Sequence, residues 1–130
     1  MVMENQLYQQ ELLDHYRHPR NRGELPDAQV STETFNPSCG DQISMQLIVE
    51  DGQLEQIRFQ GKGCVISQAA ASMLTERSLN QTIEQLEALT KDDMLALVAI
   101  PLGPTRLRCA LLSLETLHAA VALHRAQKKL

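Results

Sequence analysis

The sequence predicts an α+β domain in which a helix is followed by a small three-stranded antiparallel sheet and then by several helices. The period of its apolar residues carries this reading. They recur every three to four positions at the start, alternate between Val30 and Gln60, and return to helical spacing after Gly63. Asp51-Gly52 supplies a turn in the middle of the alternating stretch. A chain of 130 residues, 43% of them apolar, has the size of one ordinary domain, so a single domain over 1–130 is expected.

In the first helix Leu7, Tyr8, Leu12 and Tyr16 mark one stripe opposite charged and amide residues, and Pro19 ends it. Arg17 to Pro26 mixes prolines, a glycine and clustered cations, which is surface-loop chemistry. Val30 to Phe35, rich in Thr and closed by Asn36-Pro37, reads as the first strand. Ile43, Met45, Leu47 and Val49 then alternate with polar residues, and Leu54, Ile57 and Phe59 resume the apolar face after the turn, which makes a hairpin. Ser67 is predicted to cap a helix through Ala69, Ala70, Ala71, Met73 and Leu74. Thr82 with Gln85 forms a capping-box pattern, and Thr90 opens another short helix. Pro101, Gly103 and Pro104 break the chain before a last helix from about Arg106 to Lys129. Its stripe is Leu107, Leu111, Leu114, Leu117, Val121 and His124, and Lys128-Lys129 suits a helix C-terminus.

Charge narrows the function. Twelve Lys and Arg stand against 16 Asp and Glu, interspersed along the chain for a net charge of -4, so the electrostatic footprint of a nucleic-acid binder is missing. No apolar run approaches the roughly 20 residues that cross a bilayer, and the first eleven residues are polar where a signal peptide is apolar, so neither membrane nor nucleic acid is an expected partner and a cytoplasmic location is expected. A serine triad, a paired-carboxylate site and a phosphate loop all lack their spacings. His15, His18, His118 and His124 read as structural or surface residues.

The thiols are left to carry chemistry. Cys39, Cys64 and Cys109 are too few and odd in number for a disulfide framework. If the backbone at Cys39-Gly40-Asp41 is extended, a thiol and a carboxylate project from one face. Two such anions side by side are best reconciled by a metal between them. A buried cysteine at a strand entry beside an Asp in a turn is the competing reading. Cys64 follows Gly61-Lys62-Gly63 and precedes a helix, where the helix dipole favours a thiolate; a small residue packing the strand-to-helix corner is the alternative. Cys109 stands in the first turns of the last helix beside Arg106 and Arg108, which favour its thiolate but would repel a metal if both pointed inward.

Together these residues resemble the U-type iron-sulfur cluster assembly family (IscU, the NifU N-terminal domain and SufU). Leu7-Tyr8, Asp14-His15-Tyr16 and Pro19-Arg20-Asn21 with Gly23 look like its N-terminal signature. Asn36-Pro37 with Cys39-Gly40-Asp41 looks like the first ligand loop, and Gly61 to Ala69 like the second in its SufU form. Cys109 falls at the last cysteine. The resemblance implies a metal site of Cys39, Asp41, Cys64 and Cys109 that holds zinc, an iron-sulfur cluster of the [2Fe-2S] kind, or both. It also implies that the three thiols are candidate sulfur acceptors from a cysteine desulfurase, with recipient apo-proteins downstream and Arg106 supporting the partner or the thiolate. Arg108 stands where IscU scaffolds have histidine. Leu102-Gly103-Pro104-Thr105-Arg106 departs from their Leu-Pro-Pro-Val-Lys segment, which counts against the specialised Hsp70 chaperone as a partner. Both features and Arg106 look like SufU, while the 45-residue step from Cys64 to Cys109 is shorter than SufU proteins usually have. The competing function is a zinc-stabilised interaction module without sulfur chemistry, whose site would be closed.

Overall fold

A computed structural model describes residues 2–37 and 40–128. The element order is α1 (Val2–Arg17), β1 (Val30–Asn36), β2 (Asp41–Glu50), β3 (Gln53–Lys62), α2 (Val65–Ser78), α3 (Ile83–Glu87), α4 (Lys91–Val98) and α5 (Pro104–Lys128). The expected helix-strands-helices architecture is what the chain adopts.

The strands form one antiparallel sheet in the order β1-β2-β3. Ile43, Met45, Leu47 and Val49 on β2 and Leu54, Ile57 and Phe59 on β3 line a single buried face. Leu54 and Ile57 are three apart, yet both face the core. The register shifts so that Val49 opposes Leu54 and Ile48 opposes Gln56, and the extra residue, Glu55, returns the strand to phase.

α2 lies across that face and is buried nearly all round, because its run of Ala69, Ala70, Ala71 and Ser72 lets the sheet, α1 and α5 approach together. α5 supplies Cys109, Leu112, Leu114, Leu117 and Val121 to the same core. The Thr34 hydroxyl meets that of Thr116, which ties β1 to α5. Thr82 with Gln85 and Thr90 with Asp93 close complete capping boxes on α3 and α4.

Three local expectations change. Ser67 does not cap α2: the helix starts one turn earlier with Cys64 as its N-cap, and Ser67 is buried inside the first turn. Pro104 is the first residue of α5 instead of a break before it, a position where its missing N–H costs nothing. On α1 the buried stripe is Leu12 with His15, while Leu7 and Tyr16 face outward. His15 is buried because its Nδ1 pairs with the Ser72 hydroxyl at 2.8 Å, which also accepts the Arg20 backbone N–H at 2.8 Å. That pairing locks α1 and the following loop onto α2 and makes a polar residue the keystone of the stripe.

Candidate metal centre

The end of the sheet nearest α2 gathers the chemical residues. Asp41 is the first residue of β2, Cys64 is the N-cap of α2 and Cys109 lies in the second turn of α5. One ligand atom from each lies within 4.8 Å of the others. Arg106 lines the same cleft, with its side chain exposed, whereas Arg108 is exposed and is not among the residues lining it. Cys39 lies outside the described residues.

Asp41 is only 3% exposed, so its carboxylate needs partners. Its Oδ1 accepts the Cys64 backbone N–H at 3.1 Å, and its Oδ2 receives the Cys64 thiol at 3.4 Å. Cys64 N–H is one of the orphan donors at the start of α2, so a carboxylate from another strand satisfies a helix terminus that lacks a side-chain cap of its own. Gly63 makes the approach possible. With φ of +143° it adopts a backbone that L side chains rarely tolerate, and a Cβ there would overlap the Asp41 carboxyl group. Gly61 serves packing in the same turn: a Cβ would come within 2.5 Å of the Gln42 carbonyl oxygen.

The donor set, two thiols and a carboxylate at closely spaced positions, suits zinc or iron, which take sulfur and oxygen ligands. The site opens into a cleft of about 760 Å³. Cys64 is exposed at its mouth, and Cys109 is buried at its floor. One wall is apolar, made by Leu12 and Leu13 of α1, Val65 and Ile66 of α2, and Ile100. The sequence alone did not mark α1 as part of the site. Leu13 is exposed beside the buried Leu12, a difference that the packed chain shows and the apolar pattern of α1 does not.

A small α+β domain that collects two thiols and a buried carboxylate in an open cleft belongs among proteins that handle soft metals or sulfur. More specifically, the chain belongs to the NifU-like N terminal domain family, whose model matches residues 7–130. It is 35% identical over 133 aligned positions to the zinc-dependent sulfurtransferase SufU of Bacillus subtilis, covering 89% of this chain and 90% of that protein. It is 34% identical over 131 positions to the iron-sulfur cluster assembly scaffold protein IscU of Thermotoga maritima, covering 88% and 92%. The crystal structure of FiSufU from Fervidobacterium islandicum AW-1 superposes with a TM-score of 0.77 over 90% of this chain and 98% of that one. At 22% identity that likeness speaks for the fold. Among the described residues no helix is long and apolar enough to cross a membrane.

Proposed function

We propose that this protein takes part in iron-sulfur cluster assembly. In this reading it receives sulfur from a cysteine desulfurase at a site of Cys39, Asp41, Cys64 and Cys109, and holds zinc or a nascent cluster there for delivery to recipient apo-proteins. The observation that carries the reading is the meeting of Asp41, Cys64 and Cys109 in an open cleft. A purely structural zinc site is closed, whereas sulfur transfer needs a thiolate that a partner can reach. The exposure of Cys64 supports transfer over the interaction-module alternative.

The chemistry is an exchange. A thiolate of the site attacks the outer sulfur of the desulfurase's persulfide, the S–S bond to the partner breaks, and the partner's cysteine leaves as a thiolate. The product is a persulfide on this chain, and no electrons are gained or lost overall. Asp41 holds the Cys64 thiol proton at Oδ2 and fixes the Cys64 backbone, so the sulfur stays aimed into the cleft. Zinc bound by these residues would keep the thiols deprotonated. Leu13, Val65 and Ile100 offer the partner an apolar seat, and Arg106 offers a cation beside it. We set this chemistry in the cytoplasm, where thiols stay reduced, in a single functional domain and without a specialised Hsp70 partner.

The test is a desulfurase assay with labelled cysteine under anaerobic conditions. Label retained on the protein as alkylatable persulfide, and lost in Cys64→Ser and Cys109→Ser variants, is expected. Label that never leaves the desulfurase would refute the reading.

A further inference from the structure

The Cys64 sulfur has a neighbour outside the donor set. Ser67, fully buried inside the first turn of α2, places its hydroxyl 3.0 Å from the Cys64 carbonyl, to which it donates, and 3.9 Å from Cys64 Sγ, whose single thiol proton points either to it or to the nearer Asp41 Oδ2. The Gln68 side-chain amide donates to the same hydroxyl oxygen at 3.4 Å. Gln68 is itself 7% exposed, and its amide oxygen has no hydrogen-bond partner among the described residues. An amide buried at that cost, in a helix position that an apolar side chain could fill, calls for a function.

We propose that Ser67, backed by Gln68, is a positioning residue for the Cys64 sulfur in its deprotonated, metal-bound form. The inference rests on the metal-site reading above. When Cys64 gives up its proton to solvent on binding metal, the lone pair of the Ser67 oxygen would face an anionic sulfur, and the hydroxyl must turn its hydrogen toward Sγ. It is free to turn. The Cys64 carbonyl keeps a second donor, the Gln68 backbone N–H at 3.2 Å, so no backbone acceptor is orphaned. The Gln68 amide continues to satisfy the hydroxyl oxygen from behind. A hydrogen bond to a metal-bound ligand fixes its orientation and withdraws charge from it, which is how groups outside the donor set tune such sites. Gly61 keeps room for the arrangement, since a Cβ there would come 3.2 Å from the Gln68 amide nitrogen and collide with the Gln42 carbonyl and Ile43.

The experiment uses the full chain, reduced and metal-free, titrated anaerobically with Co(II) and then challenged with zinc and a chromophoric chelator. Wild-type protein is expected to give an intense thiolate-to-Co(II) absorption band. In Ser67→Ala that band shifts, and zinc retention falls about tenfold, the low end of the effect of removing a supporting hydrogen bond. Ser67→Thr, which keeps the hydroxyl, restores both. Gln68→Met, which keeps the volume and removes the donor, moves both in the same direction by less. Melting of the metal-free proteins separates these effects from loss of fold. Wild-type band and zinc retention in Ser67→Ala would overturn the proposal. If that variant does not fold, an unchanged band and zinc retention in Gln68→Met would overturn it. Absence of any thiolate band in the wild-type protein would overturn the metal-site reading itself.

Discussion

Replacing Gly63 by Ala places a methyl group where the Asp41 carboxylate now stands, so one substitution tests the geometry that joins β2 to α2. Two costs follow. A side-chain-bearing residue held at φ of +143° carries a backbone penalty of about 1–3 kcal/mol. Displacing the carboxylate from the Cys64 N–H removes a hydrogen bond to a charged group, a further loss of about 1.5–3 kcal/mol. The expected total, about 2.5–6 kcal/mol, is a large share of the roughly 5–15 kcal/mol that holds a domain folded. Urea denaturation of the reduced, metal-free protein measures it, and a double-mutant cycle with Asp41→Ala divides it. With no carboxyl group to collide with, Gly63→Ala should cost its backbone penalty and only the lesser overlap with the residue-41 Cβ, 2.9 Å away, that Ala retains, which leaves a coupling of about 1.5–3 kcal/mol between the two sites. Additivity within about 0.5 kcal/mol would refute the claim that Gly63 exists to admit Asp41.

Asp41→Ala is expected to speed zinc exchange to a chelator while leaving the thiolates able to hold the metal, because it removes the one oxygen donor; exchange at the wild-type rate would make Asp41 a turn residue. Arg106→Ala, at an exposed position, should move the melting temperature little, in keeping with a stability change within about 0.5 kcal/mol, yet weaken stimulation of the desulfurase at matched metal loading. Ala99 ends α4 in the left-handed region at φ of 63°, so Ala99→Gly should stabilise the protein by about 0.5–1 kcal/mol in the same urea assay. Burial pushes the His15 imidazole below its ordinary range, with Arg20 adding to the effect, and burial does the same to His124 beside Lys128 and Arg125. Both bind protons more readily when unfolded. Stability should therefore hold above about pH 6.5 and fall as pH drops below it, by at most about 1.4 kcal/mol per pH unit for each histidine, and His15→Gln should flatten that slope.

The architecture was legible because its signals are local. The alternation from Ile43 to Val49, the Asp51-Gly52 turn, the Thr82-Gln85 capping box and the helix start at Thr90 each state their own structure. What escaped depends on partners distant in sequence. Ser67 reads as a cap by type, but the carboxylate of Asp41, 23 residues before Cys64, takes the capping role and moves the helix start. His15 belongs to the buried stripe only because Ser72 answers it across 57 residues. The site was partly legible: thiols and a carboxylate flanked by glycines announce metal chemistry, and the structure brings Asp41, Cys64 and Cys109 to one place. The apolar wall from α1 and the Ser67-Gln68 pair were not, since exposure of Leu13 and burial of a glutamine are properties of the packed chain.

The most direct test of the central claim is metal and acid-labile sulfide analysis of the protein purified without oxygen, alongside Cys64→Ser and Cys109→Ser. The account predicts stoichiometric zinc, or iron with matching sulfide, in the wild-type protein and its loss in both variants; zinc alone assigns sulfur acceptance, and iron with sulfide assigns cluster assembly in place. Wild-type protein that holds neither and takes up neither on reconstitution, or variants that retain the full content, would contradict it.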